Sequence, residues 1–295
     1  MSARTVAIVG AGRVGGSIGR LLSRAGYPVT AVSARTQETA EKARAFIGSG
    51  EPLTDAVKVA RSADIVFITT PDGVIKSSTE AIAAGGGFRA GMIVIHTSGA
   101  QTLDILQAAR TAGAHRAVLH PLQSIPTMEL GEKNIPGSYF RIEADPEAAA
   151  TAHELVKAMD GTELAMPKWT AGNESAALYH AGAVAASNFF VALVDLSLRF
   201  YEALGADRKD ALQAVLPLIK GTLANIESAG VPDALTGPIM RGDVQTVRGH
   251  LEALRSRTPE LVGLYKELAR HTVIVARDKG SLGQKAAAEM QELLK

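Results

Sequence analysis

The stretch "VAIVGAGRVGGSIGRLL", Val6 to Leu22, decides the fold. Val6 to Val9 is a short, wholly apolar run of the kind a strand shows when it is buried on both faces. Gly10, Gly12 and Gly15 follow in the G-x-G-x-x-G spacing, and from Val14 the apolar positions recur with helical period. A strand that turns through glycines into a helix is the dinucleotide-binding arrangement. Gly10 permits the tight turn, Gly12 lets the backbone approach a pyrophosphate, and Gly15 lets the helix pack close to the strand. The helix N-terminus adds free N–H groups and the positive end of its dipole. Arg13 sits inside this loop with Val14, facing either the adenine and phosphates or solvent.

Sites that prefer NAD carry Asp or Glu about 20 residues further on, at the end of the second strand, to hold the ribose 2′-hydroxyl. Here that place reads Ser33, Ala34, Arg35, Thr36. An acid would repel a 2′-phosphate, whereas hydroxyls and a guanidinium bind one, so the expected cofactor is NADP. Thr70 and Pro71 close the run "ADIVFITTP" beside the first strand and are expected on the ribose or adenine side, while Asp72 is expected to cap the next helix.

Outward from the glycine loop, strand-like runs alternate with helical patterns. "PVTAVS" (Pro28 to Ser33), "ADIVFITT" (Ala63 to Thr70), "MIVIHTSG" (Met92 to Gly99), "RAVLHP" (Arg116 to Pro121) and "SYFRIEA" (Ser138 to Ala144) read as strands. Strict alternation predicts an α/β fold, a doubly wound parallel sheet covered on both faces. After "TELAMP" (Thr162 to Pro167) the pattern turns helical throughout, with one long helix expected from Lys168 to Leu204. The expected organisation is a Rossmann domain over residues 1–166 and an all-α substrate and dimerisation domain over 167–295.

Composition narrows the function. The 295 residues carry a net charge of only +1, which gives no electrostatic reason for a nucleic-acid or anionic-membrane partner. There is no cysteine, which removes disulfides, thiolate metal sites and a cysteine nucleophile, and fits a cytoplasmic protein. The opening apolar run is too short for a signal peptide. The seven histidines show no H-x-x-x-H or H-E-x-x-H spacing, so no metal is expected.

A second stretch, "ALYHAGAVAASNFFVALVDL" (Ala177 to Leu196), is apolar enough to span a membrane, yet holds His180, Ser187, Asn188 and Asp195. Polar groups are costly in lipid, so a buried helix is expected. Histidine titrates in the range a proton donor needs, and hydride chemistry on a carbonyl or imine requires such a donor. Asn173 lies about 10 Å along the helix from His180, and Asn188 about 12 Å beyond it on the other side. His180 is therefore the first candidate at the reacting group, Asn173 flanks it, and Asn188 is either a substrate contact or an interhelical hydrogen bond. "HTSG" (His96 to Gly99) and "HPLQS" (His120 to Ser124) end two strands at the same edge, adding His96, Ser98 and His120. Which of the three histidines is the acid or base stays open. In "LTGPIMRGD", Asp243 is expected to cap a helix, leaving Arg241 for a substrate carboxylate or for solvent.

Together the glycine loop, "HTSGA", "HPLQS", "GNESAALYHAGAVAASNF" and "LTGPIMRGD" resemble a family of uncharacterised oxidoreductases. That family joins a Rossmann-like domain to a helical domain of unknown function 2520. The wider likeness is to the 6-phosphogluconate dehydrogenase C-terminal-like superfamily, with ketopantoate reductase, pyrroline-5-carboxylate reductase, prephenate dehydrogenase and the deazaflavin-dependent NADP reductases. The resemblance covers essentially the whole chain. It implies a reductase fold, an NADP-type cofactor and a homodimer formed through the helical domain, but no substrate. Many relatives acting on hydroxy acids carry a lysine in the interdomain helix, where this chain offers His180, with Lys168 at the helix start. "HPLQS" is similar to a His-Pro-Met motif of prephenate dehydrogenases, to which "LTGPIMRGD" is foreign. The expected activity is hydride transfer between NADP(H) and a small anionic carbonyl or imine compound, or the matching alcohol or amine. A non-catalytic dinucleotide sensor and a deazaflavin-dependent reductase are the alternatives.

Overall fold

The structure is a computed structural model and describes residues 4–295. Val6–Val9 forms β1 with all four side chains buried, as the apolar run requires. The remaining strands are β2 (Val29–Ser33), β3 (Glu51–Leu53), β4 (Ile65–Ile68), β5 (Ile93–His96), β6 (His115–Pro121), β7 (Tyr139–Ala144) and β8 (Thr162–Glu163). They make one eight-stranded sheet in the order β3-β2-β1-β4-β5-β6-β7-β8. The order reverses on either side of β1, which is the topological switch point where open α/β sheets bind ligands.

Strands β1 to β6 are parallel, but β7 runs antiparallel to β6, with His120 paired to Arg141, and β8 is parallel to β7. The expectation of a wholly parallel sheet is corrected at this edge. Two short strands had little signal: β3 contains Pro52, tolerated because it lies at the sheet edge, and β8 is two residues long.

Helices α1 (Arg13–Arg24), α2 (Gln37–Ile47), α3 (Ala56–Arg61), α4 (Asp72–Ala84), α5 (Gln107–Thr111), α6 (Met128–Asn134) and α7 (Pro146–Ala158) cover the sheet. Alternation along β1 sends Val6 and Ile8 into the core shared with Ile18, Leu22 and Leu155. Ala7 and Val9 go to the opposite core, with Ile75 and Ile82.

Helix α8 (Asn173–Ala186) belongs with the sheet in one compact unit, residues 1–187. The boundary expected at Pro167 thus falls inside this unit, because Tyr179 and His180 of α8 pack against groups at the ends of β5 and β6. The second unit, residues 188–295, contains α9 (Asn188–Glu202), α10 (Arg208–Ala229), α11 (Val244–Arg257), α12 (Val262–Asp278) and α13 (Gln284–Leu293). Its core joins Val247 and Leu251 to Val273, Ala276, Met290 and Leu294. Asp243 caps α11 as expected, accepting from the Thr246 N–H.

The single buried helix expected from Lys168 to Leu204 is corrected twice. The run is interrupted at Ser187, and only 11% of its most apolar window is buried. Leu178, Phe189 and Val191 are exposed at 75%, 60% and 69%. From Ser175 to Val194 there is no Asp, Glu, Lys or Arg, so periodicity alone had no polar face with which to separate a core helix from an apolar surface.

A Cβ added at Gly15 would lie 2.3 Å from Thr69 Oγ1 and 2.9 Å from Ile8 Cγ2. Gly15→Ala is therefore expected to destabilise the sheet unit by about 1–3 kcal/mol, read from urea denaturation. An unchanged midpoint would contradict the close helix–strand contact.

Candidate active site at the carboxyl edge of the sheet

At the glycine loop, Gly10 has φ +87, and its N–H and that of Ala11 both donate to the Ser33 carbonyl, tying the turn to β2. A Cβ at Gly10 would meet Thr70 atoms at 2.8 Å, whereas one at Gly12 would meet only the Gly10 carbonyl, at 3.9 Å. Gly10 and Gly15 are thus packed glycines, while Gly12 faces open space. No acid lies in the first turn of α1, and no side chain caps it. A loop built this way accepts a pyrophosphate on its backbone N–H groups.

Around this cradle, Ser33 is buried at the end of β2, and Arg35 is exposed with no salt-bridge partner among the described residues. Thr36 has a local duty, since its hydroxyl caps α2 by accepting from the Thr39 N–H. Thr69, which the sequence reading passed over, fixes the β4 end by donating to the Gly10 carbonyl. Thr70 Oγ1 is buried without a partner, and Pro71 is exposed at the start of α4. Arg13 is exposed beside Val14, which packs partly into the core.

Asp72 is the first residue of α4 and does not cap it. Its carboxylate accepts from Ser98 Oγ at 2.7 Å. Ser98 in turn holds the "HTSGA" turn together, its N–H donating to His96 Nδ1 and its Oγ accepting from the Ala100 N–H. Ser98, expected at the reacting group, is thereby a bracing residue. His96 is fully buried, and its Nε2 donates to the Thr102 carbonyl at 3.1 Å. With both ring nitrogens engaged, His96 has no proton to trade. Burial, more than the nearby Arg141 charge, pushes its pKa down to about 4.

His120 and His180 lie at the next step along the edge. Their ring centroids are 6.2 Å apart and edge to face. A Cβ at Gly99 would stand 2.7 Å from His180 Nδ1 and 2.8 Å from His120 Nε2, so glycine is what lets both nitrogens approach one point. His180 Nδ1 is buried with no hydrogen-bond partner. On the far side of its ring, His120 Nδ1 is 2.8 Å from the Tyr179 hydroxyl.

Arg141, absent from the sequence reading, organises this cluster. It is wholly buried, donates to the Gly99 carbonyl at 3.0 Å and pairs with Glu143 at 2.6 Å. Its guanidinium stacks 4.6 Å from the Trp169 ring centre and 5.9 Å from that of Tyr179. Burial drives His120 down to about 4, with the charges of His180, Arg141 and His96 acting in the same direction. Burial likewise pushes the Tyr179 phenol up to about 12. The signal for Arg141 was present: Arg141 and Glu143 sit two apart on one face of an otherwise apolar strand.

Asn173 opens α8, exposed at the helix start. Asn188 is exposed at the start of α9, and the interhelical hydrogen bond expected for it is not made among the described residues. Arg241 is exposed on the turn before α11 in the second unit. No cluster of three or more metal-ligating side chains occurs among the described residues.

A Rossmann-like family model matches residues 2–121, and the model of the domain of unknown function 2520 matches residues 138–272. The two matches follow one another along the chain, a Rossmann-like domain and then the domain of unknown function 2520. No curated protein matches it by sequence. Among solved structures, the chain is similar to a Thermotoga maritima protein (26% identity, TM-score 0.73, 92% of this chain and 100% of that one). It is similar also to a Bacteroides fragilis protein provisionally assigned as an NADP oxidoreductase (23% identity, TM-score 0.73, 92% and 98%). A third likeness is to a Plasmodium falciparum pyrroline carboxylate reductase solved with NADP bound (12% identity, TM-score 0.61, 100% of both chains). At these identities the Bacteroides and Plasmodium likenesses establish the fold alone.

Both buried rings make the fold sensitive to acid. Between pH 6.5 and about 4 the unfolded chain binds protons at His96 and His120 that the folded chain excludes, so stability falls as pH falls through that window. Above pH 6.5 these two rings contribute no slope. In denaturation series from pH 7 to pH 4.5, His96→Gln is expected to flatten the dependence. A variant with the same slope as the parent would contradict the excluded proton.

Proposed function

We propose that the protein is an NADP-dependent oxidoreductase that moves hydride between NADP(H) and a small carbonyl or imine compound, or the matching alcohol or amine. The observation that carries this reading is the coincidence of two features at one sheet edge. One is the open face at Gly12 over an uncapped helix N-terminus, and the other is the pair of imidazole nitrogens meeting at Gly99. The first fits a dinucleotide pyrophosphate, and the second fits a reacting polar group. The NADP assignment of the Bacteroides protein and the NADP in the Plasmodium reductase agree with it.

The residues that would hold the cofactor are the backbone of Gly12 to Gly15 for the pyrophosphate, and Ser33 with Arg35 for a 2′-phosphate. Bound NADPH would supply the hydride. Thr70 offers its unpaired hydroxyl to the same ligand. His120 would meet the substrate's polar atom with His180 beside it, and the Asp72–Ser98 hydrogen bond keeps the adjacent Gly99 turn in place.

Calorimetry should find NADPH bound more tightly than NADH. Loss of one charge-assisted contact costs about 1.5–3 kcal/mol, so Arg35→Ala should weaken NADPH by roughly 10- to 100-fold and leave NADH nearly unchanged. Tighter NADH binding, or binding of neither, would sink the NADP reading. NADPH binding without turnover on any substrate would favour a sensor.

We propose further that the apolar face of α9 and α10 is covered by a second copy of the chain. Phe189, Val191 and Leu193 of α9 and Leu218, Leu223 and Ile226 of α10 are exposed, and a homodimer about a two-fold axis would bury apolar side chains of these helices on both copies. Light scattering should give a dimer mass, and Val191→Asp with Leu223→Asp should give a monomer. A monomeric parent, or one recovered on lipid vesicles, would refute the dimer.

A further inference from the structure

We infer that the site acts on a carbonyl group rather than an imine, with His120 donating a hydrogen bond from Nε2 to the carbonyl oxygen and Tyr179 fixing the tautomer that makes this possible. The inference rests on the oxidoreductase reading above and names its substrate class.

The tautomer is set by the Tyr179 hydroxyl. Its one side-chain partner among the described residues is His120 Nδ1, at 2.8 Å. A hydroxyl proton needs an acceptor, and with the phenol pushed up to about 12 that proton stays in place at neutral pH. Tyr179 therefore donates and Nδ1 accepts. A neutral imidazole that accepts at Nδ1 carries its proton on Nε2, the nitrogen beside Gly99.

The groups facing His120 decide which substrate this N–H suits. From β5 comes His96, neutral and engaged at both nitrogens. From α8 come Tyr179 and His180, the latter with an unpartnered Nδ1. From β7 comes the Arg141 guanidinium, whose charge is met by Glu143. Asp72 is hydrogen-bonded to Ser98, the neighbour of Gly99, and its charge acts on the already neutral His96.

A protonated imine is a cation, and its reduction is helped by a nearby anion. Neither His120 nor His180 is hydrogen-bonded to a carboxylate among the described residues, and the Arg141 charge already disfavours a further positive charge at His120. A carbonyl makes the opposite demand, because its oxygen gains negative charge as the carbon is reduced. Fixed N–H donors and a nearby cation stabilise that change. The carbonyl oxygen accepts through its lone pairs, and His120 Nε2, whose proton the Tyr179 contact fixes, is the donor that meets it.

The step balances without an imidazolium. As the carbonyl carbon gains the hydride that reduced dinucleotide supplies, the C–O π bond breaks toward oxygen, which takes the proton from His120 Nε2. His120 Nδ1 receives the Tyr179 hydroxyl proton; once the alcohol has left, Nε2 takes a proton from solvent and Nδ1 hands its proton back to the phenolate, which restores the starting tautomer. An alkoxide is more basic than a phenolate, so the transfer runs downhill.

Two measurements test this. In the cofactor-free protein, nitrogen-15 NMR of the histidines should show His120 neutral with its proton on Nε2 throughout pH 6–9. Tyr179→Phe should convert it to a tautomer mixture while His96 stays unchanged. In the NADPH-saturated protein, ketones and aldehydes should be reduced with kcat/KM at least about tenfold above matched cyclic imines. Tyr179→Phe should lower kcat by about 10- to 100-fold with little change in KM. An Nδ1–H tautomer in the parent, an imidazolium titrating near 6.5, a preference for imines, or NADPH binding with no carbonyl turnover would each overturn the inference. Failure to bind NADPH at all would instead remove the oxidoreductase reading, and the NMR result would still decide the tautomer.

Discussion

The candidate site depends on one buried cation. Arg141 sits on β7 directly across the ladder from His120, without solvent, and a guanidinium in that position is tolerated only if its charge is met; its Nε alone stays without a partner. Glu143 meets the charge, the Gly99 carbonyl takes one donor, and the faces of Trp169 and Tyr179 cover the plane. Each partner is an element of the site. Gly99 closes the turn after β5, and Tyr179 carries the hydroxyl that meets His120. The antiparallel turn of β7 at the sheet edge brings the cation into register with the histidine. Removal of Arg141 would leave Glu143 buried and unpaired and loosen the Gly99 turn together with Trp169 and Tyr179.

The other end of the edge works by absence of side chains. Gly10 and Gly15 have no room for a Cβ, so the loop is held against Thr70 and against Thr69 and Ile8, whereas Gly12 has room and nothing filling it. Rigid walls around one open position are what a backbone phosphate site needs. Thr69 and Ser33 brace the loop from both neighbouring strands, through the Gly10 carbonyl and through the Gly10 and Ala11 N–H groups. Cradle and His120 therefore both belong to the same scaffold, the C-terminal ends of β1, β2, β4, β5 and β6, with His180 supplied by α8.

Much of this was legible in the sequence because it rests on local chemistry. The strand–glycine–helix passage named the fold, and the strands ending in His96 and His120 end at the same sheet edge, as their positions in the alternating pattern implied. Contacts made across the chain were not legible. Nothing in "HTSG" announces that Ser98 answers Asp72, 26 positions earlier. Nor does a lone arginine in "SYFRIEA" announce that it lies under Trp169. His96 and His120 look alike as strand-end histidines, and only their partners separate them. His96 is closed by Thr102 and Ser98, while His120 has Nδ1 on Tyr179 and Nε2 toward Gly99. The long apolar run misled for a different reason. Apolar side chains are as frequent on this exposed surface as in a core, so composition does not separate the two.

The most direct measurement is a crystal structure of the protein soaked with NADPH. The account predicts the pyrophosphate on the backbone N–H groups following Gly12, the 2′-phosphate at Ser33 and Arg35, and nicotinamide C4 facing the point flanked by His120 Nε2 and His180 Nδ1. A dinucleotide bound elsewhere, or a nicotinamide turned away from Gly99, would contradict it.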